Sequence, residues 1–292
     1  MYRVLHIIGG DDRDIYLKKI LEEKGFKINL WGFDKLGYER FDLIKLKDQL
    51  FKDDYPVLIF PLSGTNVKGG VRSKYSSEEI VIDEDFFKIL PANSLIIIGF
   101  ARQWFKNYCN IYQINLLEVA EDDELAILNS IPSAEGAIQM AMENSEITIH
   151  NSNSLVIGLG RCGMTLARLL KGLDSKVYVY ARNKVNLARA FEMGFTPVTS
   201  EELDKTLPKM DFIYNTAPSL VLPKEKLDLC LNCEVIIDIA SAPGGVDFEY
   251  AKEKGIKALL APGLPGIVAP KTAAKILADV YSNFLGGENY DK

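Results

Sequence analysis

Residues 154–183 read SLVIGLGRCGMTLARLLKGLDSKVYVYARN, and this stretch decides the fold. Ser154–Ile157 is a short apolar strand, and Gly158-Leu159-Gly160-Arg161-Cys162-Gly163 follows it with the spacing G-x-G-x-x-G. Met164–Lys171 carry helix-forming residues, Gly172 sits where that helix would stop, and Lys176–Tyr180 read as a second strand. Strand, glycine turn, helix and strand make one βαβ unit. In such a unit Gly158 allows the tight turn off the strand, Gly160 lets backbone approach a pyrophosphate, and Gly163 lets helix pack closely on strand. The helix N-terminus offers N–H groups and a positive dipole end to the phosphates. The stretch therefore predicts a dinucleotide site; its rival is a glycine turn that serves packing alone.

The end of the second strand bears on which dinucleotide. An NAD site wants an acidic residue there for the ribose 2′-hydroxyl, and this chain has Ala181-Arg182-Asn183. A guanidinium suits phosphate oxygens bidentately, which favours NADP(H) over NAD(H). The other reading of Arg182 is a solvated charge at a strand end.

The chain has 292 residues, enough for two domains, and 48% of them are hydrophobic, enough for sizeable cores. The formal net charge of −6 argues against a nucleic-acid or anionic-membrane partner, and no segment approaches the length of a membrane span. MYRVLHIIGG runs straight into a strand with no signal-peptide pattern. The four cysteines, Cys109, Cys162, Cys230 and Cys233, suggest no disulfide framework, and a reduced cytoplasmic protein is the simple reading. Cys230 and Cys233 form one C-x-x-C, but a zinc site needs a second ligand pair, so no metal site is expected.

The N-terminal stretch repeats the βαβ logic without the third glycine: strand Tyr2–Ile8, Gly9-Gly10-Asp11-Asp12, helix Arg13–Lys24 and strand Phe26–Leu30. It reads as a Rossmann-like relative lacking the cofactor. Asp34–Asp54 is polar and irregular with room for a short helix. After strand Val57–Phe60 comes the loop Pro61–Ser73, rich in hydroxyls, glycines and cations, including Ser63, Thr65 and Arg72. It is either a ligand loop suited to a carboxylate or a flexible surface loop. Arg102 follows the strand Ser94–Ile98 and has the same two readings. Asp122–Leu128 reads as a short helix, and Pro132 as the first turn of a second one that ends near Asn144. Glu135 then suits the positive end of that helix dipole; the sharper reading makes it an acid or base in a cleft. Beyond the fingerprint, the strand exits Asn215-Thr216-Ala217-Pro218 and Ala240-Ser241 are where a nicotinamide would lie. Ala261–Thr272 leads into helix Ala273–Phe284, with Lys271 and Thr272 at its N-terminus as a carboxylate site or as ordinary capping.

SIPSAEGAI (130–138), VIGLGRCGMTLAR (156–168), DIASAPGGVDF (238–248) and KALLAPGLPGIVAPKTAAKIL (257–277) together resemble the A-subunit family of dipicolinate synthase from spore-forming bacteria. WGFDKL (31–36) and YSSEEIVI (75–82) fit as well, so the resemblance spans essentially the whole chain. The glycine fingerprint is common to many dehydrogenases, whereas the proline- and glycine-rich 261–272 segment is specific. The resemblance implies two α/β Rossmann-like domains with parallel sheets and a cleft between them. Residues 1–130 would form the substrate domain, completed by the C-terminal helix 270–292, and 131–269 the NAD(P) domain. It implies dehydrogenation of dihydrodipicolinate or hydroxy-tetrahydrodipicolinate to pyridine-2,6-dicarboxylate in the sporulating mother cell. A flavoprotein-like B subunit would be the partner, in an oligomeric assembly.

Carried over by motif, Gly158, Gly160, Arg161, Cys162 and Gly163 would hold pyrophosphate, and Arg182 and Asn183 the adenosine ribose. Thr216, Ala217, Pro218, Ala240 and Ser241 would follow the nicotinamide half. Ser63, Thr65, Lys271 and Thr272 are the expected carboxylate clamps, ahead of Arg72 and Arg102. Two rivals stand beside this: a reductase of another small carboxylate, and an NADP-binding regulatory chain that does not turn over.

Overall fold

The structure, a computed structural model, describes residues 4–52, 55–230 and 232–286. In chain order the elements of the first half are β1 (Val4–Ile8), α1 (Asp12–Glu23), β2 (Lys27–Trp31), α2 (Leu43–Leu50), β3 (Val57–Ile59), β4 (Gly70–Val71), β5 (Ile80–Val81), α3 (Glu84–Lys88), β6 (Leu95–Ile98), α4 (Gln103–Ile111), β7 (Asn115–Glu118) and α5 (Asp123–Glu143). The second half holds β8 (Asn153–Ile157), α6 (Arg161–Gly172), β9 (Lys176–Tyr180), α7 (Lys184–Glu192), β10 (Thr196–Val198), α8 (Leu203–Thr206), β11 (Phe212–Asn215), α9 (Lys224–Leu227), β12 (Val235–Asp238), α10 (Phe248–Glu253), β13 (Ala258–Leu260), α11 (Leu264–Val268) and α12 (Pro270–Phe284). Two compact units result. The first comprises the chain up to Ala126 together with that from Pro270 onward; the second is Ile127–Ala269.

The second unit carries a six-stranded sheet in the order β10-β9-β8-β11-β12-β13, every pairing parallel. This is the doubly wound order in which the chain reverses direction between β8 and β11. Because side chains alternate across a strand, Val156, Val179, Phe212 and Tyr214 enter one core while Leu155, Ile157, Ile213 and Ile236 enter the other. Both faces are buried, as a parallel sheet requires.

The first unit carries a five-stranded parallel sheet, β2-β1-β3-β6-β7, with an antiparallel β4–β5 pair beside it. Its reversal lies between β1 and β3, and the chain itself fills the β1 exit. Gly10 N–H donates to Arg72 O (2.9 Å), Lys74 N–H donates to Gly10 O (2.8 Å), and Gly10 bridges Ser73. The start of α1 is likewise satisfied from within: Asp11 caps it and accepts from Arg13 N–H, while Asp14 accepts from Asp11 N–H at 2.8 Å. Carboxylates and the chain's own backbone thus occupy the place where a dinucleotide-binding βαβ unit holds phosphates. α12 packs on α1 and contributes Ala274, Leu277, Ala278, Val280 and Tyr281 to this unit's core.

Three local expectations are corrected. Asp123–Glu143 is one helix with Pro132 inside it, not two helices. Proline removes an intrahelical N–H donor, but Ser130 and Ser133 hydroxyls bond to Ile127 O (2.6 Å) and Asn129 O (2.8 Å) around it. Ala134, Ala137, Ile138 and Ala141 bury the helix's far half. Glu135 is therefore mid-helical and cannot serve a helix N-terminus. The short helix that the 34–54 stretch had room for is α2, capped by Asp42, which accepts from the N–H groups of Ile44 and Lys45. Asp53 and Asp54 lie outside the described residues, as do Tyr2 and the end of the expected 270–292 helix. The 261–272 stretch contains α11, which packs on α5 where Gly136 leaves room for Leu264 and Val268.

Candidate functional site

At the reversal of the six-stranded sheet, the exits of β8 and β11 enclose a cavity of about 280 Å³. Gly158, Leu159 and Gly160 line one side, Ala181, Arg182 and Asn183 another, and Thr216 and Ala217 a third. The three glycines play different parts. Gly158 has φ +92°, a conformation that disfavours side chains, and a Cβ there would stand 2.6 Å from Thr216 Oγ1. A Cβ on Gly163 would collide with the Gly158 carbonyl, so the α6–β8 approach needs glycine. Gly160 differs: its φ is an ordinary −79°, and a Cβ would meet nothing of the chain within 4 Å. Packing alone gives no reason for glycine at 160. A pyrophosphate lying against the backbone does, and the residues present fit that group.

Arg161, Cys162 and Gly163 form the first turn of α6, whose N-terminal N–H groups have no acceptor within the helix. Burial pushes the half-buried Cys162 thiol up. Arg182 is exposed at the exit of β9, and no carboxylate lines the cavity among the described residues. Asn183 is occupied, its Oδ1 accepting from Val185 N–H at 2.8 Å to cap α7. The Thr216 hydroxyl turns inward to Ile157 O (2.9 Å), leaving its backbone side to the cavity. Pro218, Ala240 and Ser241 follow at the β11 and β12 exits but do not line the cavity. Tyr180, Asn186 and Val221 do line it and were missed; nothing in the fingerprint marks them.

In the first unit a cavity of about 370 Å³ brings together Ser63, Thr65, Arg72 and Arg102. The loop beneath it is stitched rather than loose: Asn66 Oδ1 accepts from the N–H groups of Lys68 and Gly70 at 2.8 Å each, and Thr65 bridges Val71. Arg102 Nε donates to Thr65 O (2.9 Å), which pins the guanidinium and leaves its other N–H groups for a ligand. Thr65 is 3% exposed and its hydroxyl has no partner. The arrangement sets an unsatisfied hydroxyl and a pinned guanidinium in one cavity, which Glu79 also lines. Lys271 and Thr272 are exposed in the first turn of α12 and do not line this cavity.

Glu135 lines a third, largely apolar groove between α5 and α6 with Met142, Arg168 and Leu173, away from the glycine turn. Neither histidine lines either polar cavity: His6 is buried in β1, accepting from Trp31 Nε1 (3.1 Å), and His150 stands 3.6 Å from Asp174. Cys230 and Cys233 are free thiols that burial pushes up, Cys230 to about 12. Among the described residues no cluster of His, Cys, Asp and Glu could hold a metal, and no helix is long and apolar enough to cross a membrane.

Known proteins share this architecture. Residues 131–240 match the D-isomer specific 2-hydroxyacid dehydrogenase NAD binding domain, and residues 4–120 the N-terminal domain of the dipicolinate synthase A subunit. The A subunit of dipicolinate synthase of Bacillus subtilis (strain 168) is 41% identical over 280 residues, 96% of this chain and 94% of that protein. The crystal structure of the dipicolinate synthase A subunit from Bacillus halodurans superposes with a TM-score of 0.87 at 39% identity, covering 97% of each chain. D-lactate dehydrogenase from Escherichia coli shares the fold at a TM-score of 0.62 and 13% identity, with 97% of each chain covered. Fold and cavity together define a nicotinamide-dinucleotide oxidoreductase of the hydroxyacid-dehydrogenase type. Within that class, the chain belongs to the A-subunit family of dipicolinate synthase.

Proposed function

We propose that this chain uses NADP⁺ to dehydrogenate a reduced pyridine dicarboxylate to pyridine-2,6-dicarboxylate, the substrate being dihydrodipicolinate or, with additional loss of one water, its hydrated precursor hydroxy-tetrahydrodipicolinate. The observation that carries the cofactor half is the glycine-turn cavity: Gly160 is free of any packing role, Arg182 stands at the ribose end, and no carboxylate lines it. The family model matched by residues 131–240 is described as NAD binding; Arg182 is the residue that favours the phosphorylated form. The substrate half is supported by the Thr65–Arg102 cavity and by the name of the relatives. Those relatives are named as one subunit of a synthase, which supports a partner, here a flavoprotein-like B subunit in an oligomer within the mother-cell cytoplasm.

A nicotinamide dinucleotide held at the glycine turn and Arg182 would supply a hydride acceptor for a saturated ring carbon of the substrate. From dihydrodipicolinate the hydride leaves one ring position and a proton leaves to solvent, giving the aromatic ring, NADPH and H⁺. The chain's own work is orientation. Arg102, held at Nε, pairs one carboxylate through its remaining N–H groups, the Thr65 hydroxyl donates to the same group, and Arg72 adds charge at the rim. Lys271 and Thr272 are assigned to the second carboxylate. Aromatisation supplies the driving force, so a precisely held ring matters more than a strong base. Glu135 takes no part.

A second reading, a cofactor-binding regulatory chain, draws on one observation: neither cavity is lined by a histidine. Replacing Arg182 by alanine tests the cofactor assignment. The NADP⁺ Kd should rise about tenfold or more, roughly 1.4 kcal/mol, with NAD⁺ binding unchanged; equal loss for both nucleotides would refute it.

A further inference from the structure

Asn215 and Asp238 end the neighbouring strands β11 and β12 and face each other in register, both fully buried. Asn215 Nδ2 donates to Asp238 Oδ1 and to Ala217 O, each at 2.9 Å, and its Oδ1 accepts from Ala217 N–H at 3.2 Å. Asp238 Oδ1 also accepts from Ala240 N–H (2.9 Å), and its Oδ2 from Gly245 N–H (2.7 Å). One carboxylate thus gathers three donors: a side chain from β11 and both ends of the loop 240–245. Gly245 in turn accepts at its carbonyl from the N–H groups of Val221 and Leu222, both at 2.9 Å. A Cβ at 245 would stand 2.6 Å from Asn215 Nδ2. Burying a carboxylate costs more than burying an apolar side chain unless every lone pair is engaged. An apolar pair would hold two adjacent parallel strands equally well, so the sheet itself gives no reason for this arrangement. What it does give is a single rigid piece made of two strand-exit loops, one of which, at Ala217, walls the glycine-turn cavity.

We infer that Asn215 and Asp238 are positioning residues that lock the 215–217 and 240–245 backbones together as the seat of the dinucleotide's redox half. The inference rests on the dinucleotide reading of that cavity. It concerns only the nicotinamide end; the adenosine end is held by other residues.

The two ends can be probed separately by titration calorimetry on the full chain, with NADPH as the whole ligand and 2′-phospho-ADP-ribose as the ligand lacking nicotinamide. The isosteric Asp238→Asn variant should bind 2′-phospho-ADP-ribose within about twofold of the wild type, while its NADPH Kd rises about tenfold or more. The fluorescence of bound NADPH should move toward that of the free nucleotide. Asn215→Ser, which leaves Asp238 two of its donors, should show the same split to a smaller degree, and its melting temperature checks folding. A purely structural role would weaken both ligands together or neither, and either result overturns the inference. A wild-type chain that binds 2′-phospho-ADP-ribose and NADPH with equal affinity overturns it as well, leaving the dinucleotide reading intact. A wild-type chain that binds neither refutes the dinucleotide reading first.

Discussion

Gly160 has no duty toward its own chain, whereas Gly163 has a severe one, and this contrast separates binding from folding at the scale of a single Cβ. Gly160→Ala should leave the melting temperature unchanged and weaken NADP⁺ binding about tenfold or more by calorimetry. Gly163→Ala forces α6 off β8 and should cost on the order of 1–3 kcal/mol in denaturant unfolding. Thr65→Val should act in the opposite sense: removing an unsatisfied buried hydroxyl stabilises the fold by about 1 kcal/mol or more, while the substrate KM rises. Asp14 offers a pH test. Burial raises its carboxyl to about 7, against partial relief from the Asp11 N–H. The folded chain then binds a proton that the unfolded chain has released above pH ~4, so this group's contribution to stability falls as pH rises from about 4 to about 7. Asp14→Asn keeps an acceptor for Asp11 N–H and should be more stable than the wild type at pH 8. The gap should narrow as the pH falls below 7 in chemical-denaturation curves; a pH-independent gap would contradict the assignment. The glycine turn and Arg182 were legible in the sequence because each sits at a fixed offset from a strand, and Thr65 only as one hydroxyl of the loop 61–73. Asn215 was legible only as part of a strand exit facing the cofactor and Asp238 had no role in that reading, because their pairing lies in bonds that join segments 23 residues apart.

At the scale of elements, the central strands and the glycine turn were legible, whereas the edge strands β7 and β10, the β4–β5 pair and several helix boundaries were not. Pro132 signalled a helix start, yet tertiary burial of Ala134, Ala137 and Ala141 and two serine hydroxyls carry α5 through it. α11 was hidden in a proline- and glycine-rich stretch, because its reason for being helical is the gap that Gly136 leaves on α5. The first unit lacks the third glycine, and its β1 exit is filled by residues 71–74, which supplies the physical reason for the missing fingerprint. α12 is the element on which that unit's core depends. Leu277, buried against the α1 side of the sheet, should cost about 2–5 kcal/mol when cut to alanine, read as a loss of urea stability. A loss below about 0.5 kcal/mol, the size of an ordinary surface change, would mean that α12 only lies on the surface.

At the scale of the molecule, the two sheets divide the work by topology. The sheet ordered β10-β9-β8-β11-β12-β13 leaves a crevice at its reversal, and the sheet ordered β2-β1-β3-β6-β7 closes its own, while its unit carries a cavity lined by Ser63, Thr65, Arg72, Arg102 and Glu79. The nucleotide-binding type of the second unit was legible in residues 154–183; that Arg102 and Thr65 line one cavity of the first unit, and that Lys271 does not line it, needed coordinates. The most direct measurement is turnover by the purified chain with freshly made hydroxy-tetrahydrodipicolinate, with NADP⁺ or NAD⁺, following reduced cofactor and dipicolinate together. The account predicts that both appear in equal amounts, with kcat/KM for NADP⁺ exceeding that for NAD⁺ about tenfold or more. Tight cofactor binding with no dipicolinate formed, restored only when a partner protein carries the redox step, would contradict it and make this chain a regulator.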